Sequence, residues 1–170
     1  STSRRQRQMC IRDRSQTTDL TAASVVIQKD GTLYAFTQFF MPRGRLEYLQ
    51  ATDGVPYDIF VKKGLITLSG ENYVDYHDVY GWFTMLLEDY GIRPLKIGYD
   101  RYSAQYLITD MANYGFHMDD VYQGENLTPV IREFEGIIKD GDFKIADNNL
   151  LKTHFLNVAL KHNMDCLLYT

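Results

Sequence analysis

The stretch from Leu95 to Gly115 constrains this chain most: Leu-Lys-Ile-Gly-Tyr-Asp-Arg-Tyr-Ser runs directly into Ala-Gln-Tyr-Leu-Ile-Thr-Asp-Met-Ala-Asn-Tyr-Gly. The first half reads as a short buried strand that stops at an acid, Asp100. In the second half Ala104, Leu107, Ile108 and Met111 recur at the spacing of one helical face, and Gly115 supplies a left-handed stop. A helix that leaves a strand this abruptly has to fold back over the sheet. The acid then sits at the strand's carboxyl end, where α/β proteins place ligands and catalytic groups on a rigid base. From spacing alone, capping the helix is the simpler role for Asp100.

The elements around this stretch follow the same logic. Thr21 to Gln28 is rich in β-branched residues, Asp30-Gly31 is a hairpin signal, and Leu33 to Phe40 alternates aromatic and small residues, so an antiparallel meander is predicted. Pro42 ends it. Met41 to Pro56 is a loop or short helix carrying Arg43 and Arg45, for which solvation is the plain reading and phosphate contact the alternative. Pro56 to Lys63 is a second short helix or turn, and Gly64 to Gly70 is extended. Asp75 caps a helix with Val79, Trp82, Phe83, Leu86 and Tyr90 inward and Gly91 as terminator; Ile92 to Tyr99 returns as a strand. His117 to Tyr122 is another strand, followed by a turn at Gln123-Gly124. Thr128-Pro129 reads as an N-cap followed by proline at the first helical position, launching a helix with Val130, Phe134, Ile137 and Ile138 inward. Asp140-Gly141 closes it, Phe143 to Ala146 forms a short strand, and Asn148 caps a last helix with Leu151, Phe155, Val158 and Ala159 inward. A meander followed by α/β units implies an α/β fold with a mixed sheet flanked by helices.

Several function classes drop out. The chain lacks both Gly-x-x-x-x-Gly-Lys-Ser/Thr and Gly-x-Gly-x-x-Gly, so no nucleotide-binding loop is expected, and no serine elbow is present. His77, His117, His154 and His162 include no His-x-x-x-His pair, and Cys10 and Cys166 stand too far apart to suggest a zinc site or disulfide framework. His154 reads as a core histidine. No apolar run approaches the roughly 18 residues of a spanning helix, so a soluble protein with no membrane partner is expected. The 13 tyrosines read as half-buried strand positions rather than a stacking surface.

Charge distribution adds a constraint. The net charge is −4, yet Arg4, Arg5, Arg7, Arg12 and Arg14 crowd the first 14 positions; with residues 1–14 and 165–170 set aside, 13 basic residues face 20 acidic ones. An acidic body does not hold nucleic acid by a broad basic surface. It still serves hydrolysis of DNA when cations bridge carboxylates to phosphate. The acids near strand ends are Asp13, Asp19 and Asp100, and two carboxylates converging on a divalent cation are what phosphodiester hydrolysis needs. Spacing does not show that these three meet.

Taken together, Asp13-Arg-Ser-Gln-Thr-Thr-Asp19-Leu-Thr-Ala22, Val55-Pro56-Tyr57, Gly64-Leu65-Ile66-Thr67 with Gly70, Val74-Asp75-Tyr76, Tyr99-Asp100-Arg101, Gln123-Gly124 with Leu127-Thr128, and Asn148-Asn149-Leu150-Leu151 with Asn157 carry a resemblance. Over about residues 13 to 164 the chain resembles the C-terminal nuclease domain of tailed-phage large terminase subunits. The resemblance implies a ribonuclease-H-like fold and a metal-dependent DNA endonuclease (hydrolase) that cuts concatemeric viral DNA during viral genome packaging. It further implies magnesium or manganese as cofactor, two ions in the intact domain, with Asp100 and Asp13 as metal ligands and Asp19 as a neighbour that either assists catalysis or only orders the turn. The family's motif has leucine after its first acid where this chain has Arg14, and its third acid is expected further on than this chain runs; Asp165 does not replace it.

The resemblance implies double-stranded DNA, an N-terminal packaging ATPase, a small terminase subunit and a portal as partners, in the cytoplasm of the infected bacterial host. Residues 1–14 and 165–170 look like non-native ends of an environmental (metagenomic) fragment, leaving 15–164 as the nuclease domain, truncated on its C-terminal side and of reduced activity. The alternatives are another ribonuclease-H-like nuclease of resolvase or integrase type, or a non-catalytic DNA-docking module.

Overall fold

The computed structural model describes residues 20–100, 105–122, 124–156, 160–163 and 166–169. The acids Asp13 and Asp19, and Ala104, Val158 and Ala159 of the expected helical faces, lie outside those residues.

The hairpin forms where Asp30-Gly31 dictates it. Both residues take positive φ, 52° and 83°, the backbone that lets two strands reverse without splaying. β1 (Thr21–Lys29) and β2 (Thr32–Met41) flank the turn. β2 then pairs in parallel with β3 (Ile66–Leu68) through Phe39 to Met41 and with β6 (Phe143–Ile145) through Leu33 to Ala35. An antiparallel hairpin extended by parallel strands is the mixed sheet that the sequence predicts.

The chain divides into two compact units. One comprises, among the described residues, the end of the hairpin from Ser24 to Thr37 and the chain from Tyr122 onward. Here α5 (Thr128–Lys139) leads to β6 and α6 (Asn149–Leu156). Asn148 is the joint: it is buried, its Oδ1 accepts from Leu151 N at 2.9 Å as the helix cap, and its Nδ2 donates to Thr37 O on β2 at 3.2 Å. Phe134 and Phe155 pack on Phe143, with ring centroids 4.8 and 5.8 Å away. Two further strands, β7 (Leu160–Asn163) and β8 (Cys166–Tyr169), pair antiparallel and were not expected from the sequence.

The other unit holds the sheet from Gln38 and everything to Val121. α1 (Leu46–Asp53) and α2 (Tyr57–Lys62) precede β3, and α3 (Tyr76–Glu88) leads to β4 (Ile97–Asp100), α4 (Gln105–Tyr114) and β5 (Met118–Val121). Its core is Phe40, Met41, Ile66, Val79, Phe83, Leu107, Met111 and Phe116. The link from β3 to α3 is tightly built. Ser69 is fully buried, its N–H donates to Met41 O at 2.9 Å, and its Oγ accepts from Asp75 N at 3.0 Å.

Five expectations are corrected. Leu95 is not in a buried strand but 92% exposed: β4 begins only at Ile97, where β5 begins to pair with it, and Pro94 before Leu95 has no N–H to offer a ladder. Tyr90 is exposed beyond the end of α3, while Tyr76, in the first turn, is buried in its place. α5 starts at Thr128 with Leu127 as its N-cap residue, one position earlier than expected. Its buried residue is Ile131, not the exposed Val130 and Ile138, because the Phe134–Phe143 contact fixes which side of the helix faces in. α6 buries Leu150 rather than Leu151, and Phe155 is partly exposed.

The sharpest backbone constraint is Gly70, at φ 65°, where an added Cβ would run into the carbonyl of Tyr73. Gly70→Ala therefore costs about 1–3 kcal/mol by adding left-handed strain to a clash with backbone. Urea unfolding monitored by circular dichroism checks this; Gly31→Ala, with positive φ but open space around it, should cost less.

Candidate functional site

β4 and β5 are parallel, with Ile97 beside Met118 and Asp100 beside Val121. Such a pair needs a crossover, and α4 supplies it by burying Leu107 and Met111. Asp100 is the last residue of β4 and is half-buried. The strand is close-packed beneath it: a Cβ on Gly98 would come within 2.9 Å of Val121 Cγ2. The sequence-derived placement of Asp100 at a strand's carboxyl end, ahead of an amphipathic helix, is thus observed.

The rim of this end is built by the starts of two helices. The ring of Tyr76, at the start of α3, meets Tyr106, at the start of α4, edge to face with centroids 5.8 Å apart. Tyr80 and Tyr114 repeat the contact further along, also at 5.8 Å. Asp75 caps α3 by accepting from His77 N at 3.0 Å, and the same Oδ1 lies 2.9 Å from His77 Nδ1. The backbone hydrogen bond from His77, followed by the one from its ring, holds the Asp75 carboxyl below its usual value, and the Asp75 carboxylate raises His77. The sequence reading found the cap and missed the histidine; the Asp-x-His spacing was the available signal, since an Asx turn folds residue i+2 back onto the carboxylate.

Of the three acids singled out in the sequence, the structure positions Asp100, while Asp13 and Asp19 lie outside the described residues. On β5, Asp119 is held by Lys96 at 2.9 Å, and Asp120 stands beside Tyr99, so its side chain points to the face opposite that of Asp100. Among the described residues no three His, Cys, Asp or Glu side chains converge to hold a metal ion. Asp100 fits such an ion as one hard oxygen ligand, and the remaining ligands have to come from elsewhere. Nor does any helix of the described residues have the length and apolarity to cross a membrane.

With that geometry in hand, comparison with known proteins is informative. Residues 7–168 match the family described as terminase large subunit, endonuclease domain. A terminase large subunit of Lactococcus phage p2 is 29% identical over 135 residues, covering 78% of this chain and 24% of that protein. The large subunit of Enterobacteria phage HK97 is 26% identical over 133 residues, covering 76% of this chain and 26% of that protein. This chain therefore spans about a quarter of the length of these relatives. The crystal structure of the HK97 bacteriophage large terminase superposes with a TM-score of 0.79 at 23% identity, covering 95% of this chain and 36% of that one. The shared fold is the ribonuclease-H-like one expected from the sequence.

The Asp75–His77 pair gives a pH prediction. The Asp75 contribution is present above the ordinary 3.8 and fades as pH falls through its lowered folded value; the His77 contribution is complete below 6.5 and fades as pH rises through its raised folded value. The start of α3 is therefore most stable between 3.8 and 6.5. NMR titration of the His77 ring should place its midpoint above 6.5 and return it toward 6.5 in Asp75→Asn. A midpoint that does not move in that variant rules the pair out.

Proposed function

The chain belongs to the terminase large-subunit endonuclease family, and from that premise we propose that it is the part of a phage packaging enzyme that cuts concatemeric viral DNA with the help of magnesium or manganese. The observation that carries the reading is the position of Asp100: a half-buried carboxylate at the carboxyl end of a parallel strand, ahead of α4, within a match that spans nearly the whole chain.

Asp100 would hold the cation together with Asp13, and Asp19 would order the turn that follows Asp13. A bound ion supplies Lewis-acid stabilisation of the charge that builds on the phosphate oxygens during hydrolysis. The chain's own part is to fix that charge in place. Asp100 sits on β4, a strand locked to β5 by Ile97 N donating to His117 O at 2.8 Å, so the carboxylate does not need to be ordered when substrate arrives. Half-burial strengthens its interaction with a cation relative to a fully hydrated carboxylate. In the whole protein the substrate is double-stranded DNA, the partners are a packaging ATPase domain, the small terminase subunit and the portal, and the place of action is the cytoplasm of the infected host.

The test is plasmid nicking by the full-length parent protein. Asp100→Asn, which removes a charge and keeps the shape, should lower magnesium- or manganese-dependent nicking by about a hundredfold or more, with thermal unfolding unchanged, and chelation of divalent ions should abolish nicking in the unmodified protein. Full activity in Asp100→Asn defeats the assignment, and metal-independent nicking defeats the mechanism.

A further inference from the structure

The face of the strand pair that carries Asp100 also carries an ion pair. Side chains alternate along a strand, and residues paired across parallel strands share a face. Gly98 pairs with Asp119 and Asp100 with Val121, so these four positions lie on one face, and Lys96, in phase with Gly98, stands just ahead of them. The Lys96 Nζ donates to Asp119 Oδ2 at 2.9 Å, so the lysine side chain crosses this face from β4 to β5.

Register fixes how far the two carboxylates stand apart. Neighbouring strands lie about 4.8 Å apart and two residues advance about 6.6 Å, which puts the Asp100 and Asp119 backbones about 8 Å apart along the diagonal. Gly98 adds no side chain to that diagonal, and Val121 Cγ2 lies over it, 2.9 Å from where a Cβ would be. Apolar atoms in place of water screen a charge less. A unit charge at such a distance changes the binding of a divalent ion about three- to tenfold at low salt. Lys96 and Asp119 are both well exposed, 69% and 52%, so their pairing adds little to stability. Its consequence is electrostatic: the ammonium subtracts one carboxylate from the charge that this face offers a cation.

We propose that the Lys96–Asp119 pair sets how tightly the Asp100 strand end holds its divalent cation, with Lys96 keeping the affinity down by cancelling Asp119. Neither residue touches the ion; both are positioning residues that act through space on the site Asp100 forms. A strand end restrained in this way leaves part of the negative charge around the cation to be supplied by the substrate phosphate. The inference rests on the metal-assisted reading above and names what regulates that site.

The experiment is a manganese titration of the full-length parent and its variants, with the free ion counted by electron paramagnetic resonance at low and at high salt. Lys96→Met should tighten the site that Asp100→Asn removes by about three- to tenfold, and Asp119→Asn should weaken it by about as much. The double variant should bind like the parent, as should Lys96→Arg, which keeps the charge. Both shifts should shrink as salt rises, and thermal unfolding should stay the same throughout. Unchanged affinity in the two single variants, or shifts of the same sign, overturns the proposal even where Asp100→Asn removes the site. Outright loss of the site in Asp119→Asn makes Asp119 a direct ligand and overturns action through space. Manganese binding left untouched by Asp100→Asn defeats the metal reading and this inference together, so that one variant tells the two failures apart.

Discussion

The four-residue pairing of β4 with β5 is the constraint on which the rest of this site depends. Parallel strands cannot be joined by a turn, so Asp100 and Val121 stand side by side only because α4 carries the chain back across the sheet. Leu107 and Met111 anchor that crossover, Ile97 N bonds to His117 O where the pairing starts, and the Val121 side chain lies against Gly98. Everything that makes Asp100 a candidate for chemistry follows from the pairing: its position at a strand end, its partial burial, and the helix starts that form the rim around it.

A second layer of the structure keeps that end of the unit stiff. Ser69 joins the carboxyl end of β2 to the start of α3, and Gly70 allows the chain to turn where any side chain would meet the Tyr73 carbonyl. The Tyr76–Tyr106 contact then ties the start of α3 to the start of α4. Asn148 plays the corresponding part in the other unit, capping α6 while donating to β2. In both, one buried polar residue satisfies backbone groups of two elements at once and so fixes how they join, Asn148 through its side-chain amide and Ser69 through its N–H together with its hydroxyl.

What could be read from the sequence was whatever local chemistry decides. Asp30-Gly31 specifies its turn, Asp75 and Asn148 specify their caps, and the strand that ends in Asp100 is announced by the helix that follows it. The errors lie where tertiary contacts choose between equivalent neighbours. Val130 and Ile131 are both β-branched and adjacent, as Leu150 and Leu151 are both leucine, and only the packing around Phe143 and beneath Asn148 decides which goes inward. Leu95 was misplaced because strand length is set by the partner strand, which periodicity does not see. β7 gave no signal because Leu160–Asn163 has a single apolar residue and no β-branched one. For the site, the sequence revealed Asp100 and its setting; the His77 ring on Asp75 went unread although the Asp-x-His spacing signals it.

The central claim is that Asp100 is a ligand for a catalytic divalent cation, and it is tested most directly by calorimetric titration of manganese into the full-length parent and its Asp100→Asn variant. The account predicts saturable binding by the parent and loss of at least one site in the variant, with the same thermal unfolding profile for both. Identical stoichiometry and affinity in the two proteins, or no manganese binding by the parent, would contradict it.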